Sequence, residues 1–91
     1  MYSIVTQVKN KTGLHARPAS DLTLKAKEFA CSITLLNMDE PDAKPLNAKS
    51  VVKIMAGKMK MGTRIEIAAE GEDEKQAVEA LAALLESGFG D

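Results

Sequence analysis

The hydrophobic period changes repeatedly along this chain, and that constrains its fold more than any single residue does. Residues 63–69 set Ile65, Ile67 and Ala69 against Arg64, Glu66 and Ala68, the two-residue alternation of a strand with one dry face. Val78, Leu81, Leu84 and Leu85 then recur at helical spacing, the stripe of a helix that buries one side. Neither pattern suits the other conformation, because the wrong period scatters the apolar side chains over both faces. The chain must therefore alternate strands with helices.

The remaining segments extend this alternation. Residues 2–8 place Tyr2, Ile4, Thr6 and Val8 opposite Ser3, Val5 and Gln7, which predicts a first strand. After a loop over residues 9–13, Ala19, Leu22, Ala26 and Phe29 predict a helix over 16–29. Pro18 lies in its opening turn, where an amide has no intrahelical partner. Cys31, Ile33 and Leu35 alternate with Ser32, Thr34 and Leu36 in a second strand, followed by a long polar turn over 37–45 and a short return strand around Leu46. Ser50 is a good N-cap for a helix over about 51–57 that Gly57 ends. Glu72, Asp73 and Glu74 open the last helix at its positive end, and Gly88 with Phe89 stops it in the Schellman manner. The predicted order is βαββαβα. It implies an α+β, open-faced β-sandwich in which three helices cover one face of a four-stranded antiparallel sheet, as one domain over residues 1–91.

A chain of 91 residues can bury a modest core but not an enclosed cofactor cavity, so chemistry is expected at the surface and no cofactor is expected. No stretch has the length of a membrane span, and no signal-peptide pattern opens the chain; the expectation is a cytoplasmic protein with no membrane partner. Cys31, the only cysteine, reads as a small apolar residue of the core. The net charge of -1 is unevenly spread: residues 1–20 carry Lys9, Lys11 and Arg17 and no acid, and residues 51–65 add Lys53, Lys58, Lys60 and Arg64. Residues 66–91 hold eight acids against Lys75. Such a basic surface suits a phosphate or an acidic protein; aromatics as sparse as Tyr2, Phe29 and Phe89 offer little for stacking bases, so no nucleic-acid partner is expected.

The only histidine, His15, stands where the loop meets the first predicted helix, in Gly13-Leu14-His15-Ala16-Arg17-Pro18-Ala19. A helix start attracts anions, since the amides near Ala16 and Arg17 lack helical acceptors and the dipole is positive there. Arg17 adds a guanidinium fork matched to phosphate oxygens. By residue type alone, His15 is either a capping or solvated side chain or a phosphoryl acceptor. No metal-ligand cluster and no nucleotide-binding glycine loop accompanies it.

This string resembles the phosphocarrier HPr family of the bacterial phosphoenolpyruvate-dependent sugar phosphotransferase system. The βαββαβα order, the segment Leu46-Asn47-Ala48-Lys49-Ser50 and the acidic last helix extend the resemblance over essentially the whole chain. It implies that His15 accepts a phosphoryl group on Nδ1 from enzyme I and passes it to enzyme IIA domains. It further implies that Arg17 assists transfer and that Thr12 lies beside the phosphohistidine. Val51, Val52 and Met55 match an apolar docking patch and Ile54 a core position. Ser50 matches a serine that a kinase phosphorylates in many Gram-positive members, which brings in a kinase and a transcriptional regulator as further partners. A shuttle of this kind is expected to be monomeric. The chain departs from the family pattern in its 37–45 turn, about four residues longer than usual, and in Lys53 and Lys58, which stand where members commonly have Gly. The competing expectations are a paralogous carrier in a nitrogen-related or regulatory relay, and a non-catalytic interaction module that works through Ser50 and the apolar patch.

Overall fold

The protein is described by a computed structural model over residues 1–90. Its elements are β1 (Tyr2–Gln7), α1 (Ala16–Ala26), β2 (Ser32–Asn37), β3 (Leu46–Asn47), α2 (Val51–Ala56), β4 (Arg64–Glu70) and α3 (Glu74–Glu86), followed by a 3₁₀ turn over Gly88–Gly90. The sheet runs β1-β4-β2-β3 with every neighbouring pair antiparallel. This is the predicted α+β order, with the three helices gathered on one face of the sheet.

Register explains the core. Ile67 of β4 pairs with Ile4 on one side and Leu35 on the other, while Ile65 pairs with Thr6 and Asn37. Alternate residues of three strands therefore face the same way, and Ile33, Leu35, Ile65 and Ile67 are fully covered. The helices close over them with Leu22, Ile54, Val78, Leu81 and Leu85, all without exposed surface. α3 lies along β1 and β4, and α1 packs between α2 and α3.

Several boundaries differ from the sequence reading. α1 stops at Ala26 rather than Phe29, because the amides of Glu28 and Phe29 turn back to the carbonyls of Lys25 and Ala26, three residues behind each. β2 begins at Ser32, since the amides of Ala30 and Cys31 donate to the Asp73 carboxylate at 2.9 and 3.1 Å instead of joining the sheet. Asp73 therefore caps a foreign turn, not its own helix. At the other end of α3 the chain turns left-handed at Gly88 and Phe89, yet the link to the Leu84 carbonyl is made by the Ser87 hydroxyl at 2.7 Å and not by the Phe89 amide of a Schellman motif. Phe89 donates instead to Ser87 Oγ.

Candidate functional site

The loop before α1 is held from below. Asn10, only 1% exposed, donates from Nδ2 to the Gly13 carbonyl at 2.7 Å and to Thr12 Oγ1 at 3.1 Å. Gly13 has φ +71°, and a β-carbon there would stand 2.7 Å from the Met59 carbonyl oxygen; both the backbone conformation and the space require glycine. The Leu14 amide donates to that same carbonyl at 2.7 Å, and the Leu14 side chain enters the core. The segment around Met59 thus forms the floor of the loop, a contact between distant parts of the chain that periodicity does not reveal.

Fixed in this way, the loop delivers His15 to the N-cap position of α1 in extended conformation. Its side chain makes no capping hydrogen bond and is exposed. Ala16 follows with φ +31°, an unfavourable value for a residue with a β-carbon and a local store of about 1 to 3 kcal/mol. The amides of Ala16 and Arg17 find no acceptor among the described residues, and Pro18 has no N–H to offer. Thr12, His15, Ala16, Arg17, Pro18, Asp21 and Phe89 together line an open hollow of about 490 Å³. Arg17 belongs to none of the ion pairs among the described residues, so its charge is free for an anion. Asp21 and Phe89 are the two members that sequence reasoning missed. Asp21 is one helical turn beyond Arg17, a spacing that could have signalled it. Phe89 arrives from the far end of the chain, with no local signal.

The other anticipated residues lie on α2. Ser50 is its N-cap, and the hydroxyl accepts from the Lys53 amide at 3.3 Å. Ile54 is fully buried, whereas Val52 is 78% and Met55 37% exposed and Val51 lies partly against the core. A single short helix cannot turn all four inward, and the structure divides them accordingly. Among the neighbouring methionines, Met59 is core and Met61 is exposed. Lys58, just beyond the Gly57 cap, has φ +59°. Cys31 is buried, and burial pushes its thiol above the usual range, with the Asp73 carboxylate adding to the shift. No group of histidine, cysteine and acidic side chains among the described residues could hold a metal ion, and no described helix is long and apolar enough to cross a membrane.

An open-faced sandwich that offers one uncommitted imidazole beside free amides and an unpaired guanidinium has the build of a protein that carries an anionic group on its surface. Its relatives say the same. The family model for the PTS HPr component phosphorylation site matches residues 2–87. The chain is 42% identical to an HPr structure from Thermoanaerobacter tengcongensis, with a TM-score of 0.90 over 100% of this chain and 98% of that one. It is 39% identical over 84 residues to the phosphocarrier protein NPr of Proteus mirabilis, covering 92% of this chain and 90% of that protein. It is also 39% identical over 84 residues, 92% of its length, to a multiphosphoryl transfer protein of Haemophilus influenzae, of which it spans only 17%. The chain belongs to the HPr family of phosphocarriers of the phosphotransferase system.

Proposed function

We propose that His15 is the phosphoryl acceptor, taking the group on Nδ1 from phosphorylated enzyme I and passing it to enzyme IIA domains in sugar uptake. The observation that carries this reading is the idle imidazole: His15 occupies an N-cap position without capping, beside Arg17 and two unpaired amides in one hollow. A nitrogen lone pair of the neutral ring bonds to phosphorus as the donor's bond to phosphorus breaks. The guanidinium of Arg17 and the amides of Ala16 and Arg17 meet the charge on the transferred oxygens, and Thr12 borders them. Such transfer needs positioning and electrostatic support more than covalent chemistry from the protein. It runs readily in reverse because a neutral ring nitrogen leaves more easily than an alkoxide.

Val52 and Met55, with Val51 at their edge, form the apolar part of the surface that meets those partners. Ser50 borders it, and a phosphate placed there by a kinase would set charge beside contacts that exclude water, which makes it a regulatory position and a point of recognition for a transcriptional regulator. The carrier acts in the cytoplasm as a monomer, since a shuttle presents one site to successive partners.

Phosphoenolpyruvate and enzyme I should add one acid-labile phosphoryl group to the chain, read by mass, and His15→Ala should abolish it while keeping the melting temperature. Equal labelling of His15→Ala would end the assignment. The likeness to NPr favours a second reading, the same chemistry in a nitrogen-related relay; labelling with the enzyme I of each system tells the two apart.

A further inference from the structure

α3 ends at Glu86, but the chain does not run off into solvent there. It makes two successive left-handed residues, Gly88 at φ +69° and Phe89 at φ +57°. Glycine enters that region freely; a residue as bulky as phenylalanine does so at a cost. Two hydrogen bonds hold the strained turn in place: Ser87 Oγ donates to the Leu84 carbonyl at 2.7 Å and accepts from the Phe89 amide at 3.3 Å. The result is that Phe89 lies partly against the core, while the rest of it lines the hollow shared by His15 and Arg17.

Core burial alone does not require this placement, because an apolar side chain at a helix end can be covered without facing a polar hollow. Thr12, His15, Arg17 and Asp21 are all polar, and the apolar members are Ala16, Pro18 and Phe89, of which Phe89 is by far the largest. We propose that Phe89 is the dry wall of the phosphoryl site and slows hydrolysis of the phosphohistidine between donor and acceptor. The proposal rests on the reading of His15 as acceptor. In the reaction that it opposes, a water oxygen bonds to phosphorus and the phosphorus–nitrogen bond breaks. The bonding pair returns to the ring nitrogen, one proton leaves the attacking water, and inorganic phosphate departs. A phenyl ring can neither hold that water in line nor accept its proton, so attack from this side is disfavoured. The open side of the hollow stays available to a partner protein.

The full chain can be phosphorylated on histidine with phosphoramidate, without any partner, and the release of inorganic phosphate followed in time. Phe89→Ala should shorten the lifetime of the phosphohistidine by about three- to tenfold, and Phe89→Leu should restore it to within about twofold of the parent. Phe89→Tyr keeps the ring volume but adds a hydroxyl able to hold water, and should shorten the lifetime although its melting temperature matches the parent's. A lifetime unchanged in Phe89→Ala, or lowered equally in Phe89→Ala and Phe89→Leu, would overturn the proposal. So would an unchanged lifetime in Phe89→Tyr. A parent chain that takes up no acid-labile phosphate on His15 refutes the acceptor reading itself, a result distinct from uptake with a lifetime indifferent to Phe89.

Discussion

Asn10 holds Gly13 by a 2.7 Å hydrogen bond from its buried side-chain amide to the glycine carbonyl, five residues before the histidine in sequence and directly beneath its loop. The same nitrogen reaches Thr12, while Oδ1 has no partner among the described residues. Removing the side chain leaves the buried Gly13 carbonyl without its partner, so Asn10→Ala should lower stability by about 1 to 3 kcal/mol. Chemical denaturation measures that loss. Phosphoryl uptake by the folded fraction should also slow, because Thr12 and Gly13 no longer fix the approach to His15.

Arg17 and Asp21 border one hollow with opposite charges, one helical turn apart. Arg17→Ala should slow transfer by roughly ten- to hundredfold while uptake stays possible, since it removes charge support and not the acceptor. Asp21→Asn should act in the other direction, by about twofold, because it removes a negative charge that borders the same hollow and repels the incoming phosphate. Stopped transfer assays with both variants check the two signs. Slowing by Asp21→Asn would contradict this account of the hollow.

Lys58 occupies left-handed backbone that glycine would enter at little cost. Lys58→Gly should raise stability by about 0.5 to 1 kcal/mol, the relief of strain exceeding the added freedom of the unfolded chain. In a domain of this size that corresponds to a rise of a few degrees in melting temperature.

Ser50 is both a helix cap and a neighbour of the exposed Val52 and Met55. Ser50→Asp keeps an acceptor for the Lys53 amide, so the melting temperature should hardly change. Its charge should weaken association with enzyme I by roughly tenfold, or about 1.4 kcal/mol. Ser50→Ala should do the reverse, costing about 1 kcal/mol of stability through the lost cap and sparing affinity. Calorimetric titration and thermal melts of the two variants separate the roles.

Asp73 is held below the usual carboxylate range, first by the Ala30 amide and then by the Cys31 side chain. Asp39 is lowered in the same sense by the backbone and side chain of Arg64. A group whose pKa is depressed in the folded state stabilises it above the unfolded pKa, and that contribution is lost as pH falls through the folded value. The melting temperature should therefore be flat between about pH 5 and pH 8 and decline below about pH 4. Asp73→Asn should lower the plateau and flatten the decline.

Much of this architecture is legible in the sequence because its signals are short in range. Alternation within residues 63–69 and the stripe through Val78, Leu81 and Leu85 each fit within one element, and the Ser50 cap is decided within one helical turn. The position of His15 at a loop–helix junction is likewise readable, since Gly13 and Pro18 bracket it. What sequence could not decide was whether the imidazole would cap the helix or stand free.

That depended on tertiary structure. The loop is set by the Met59 carbonyl beneath Leu14, the turn into β2 is satisfied by the carboxylate of Asp73, and the hollow beside His15 is completed by Phe89. Each of these joins segments that are distant in the chain, where no periodicity or capping rule applies. Met59 is buried and Met61 exposed although both are apolar, a division that only the packing of the whole chain makes. The sequence by itself determined which segments become strands and helices, through local backbone preference and the burial of one face. Which side chains surround the histidine was decided only when packing of the whole sheet and its three helices brought remote backbone groups into hydrogen-bonding range.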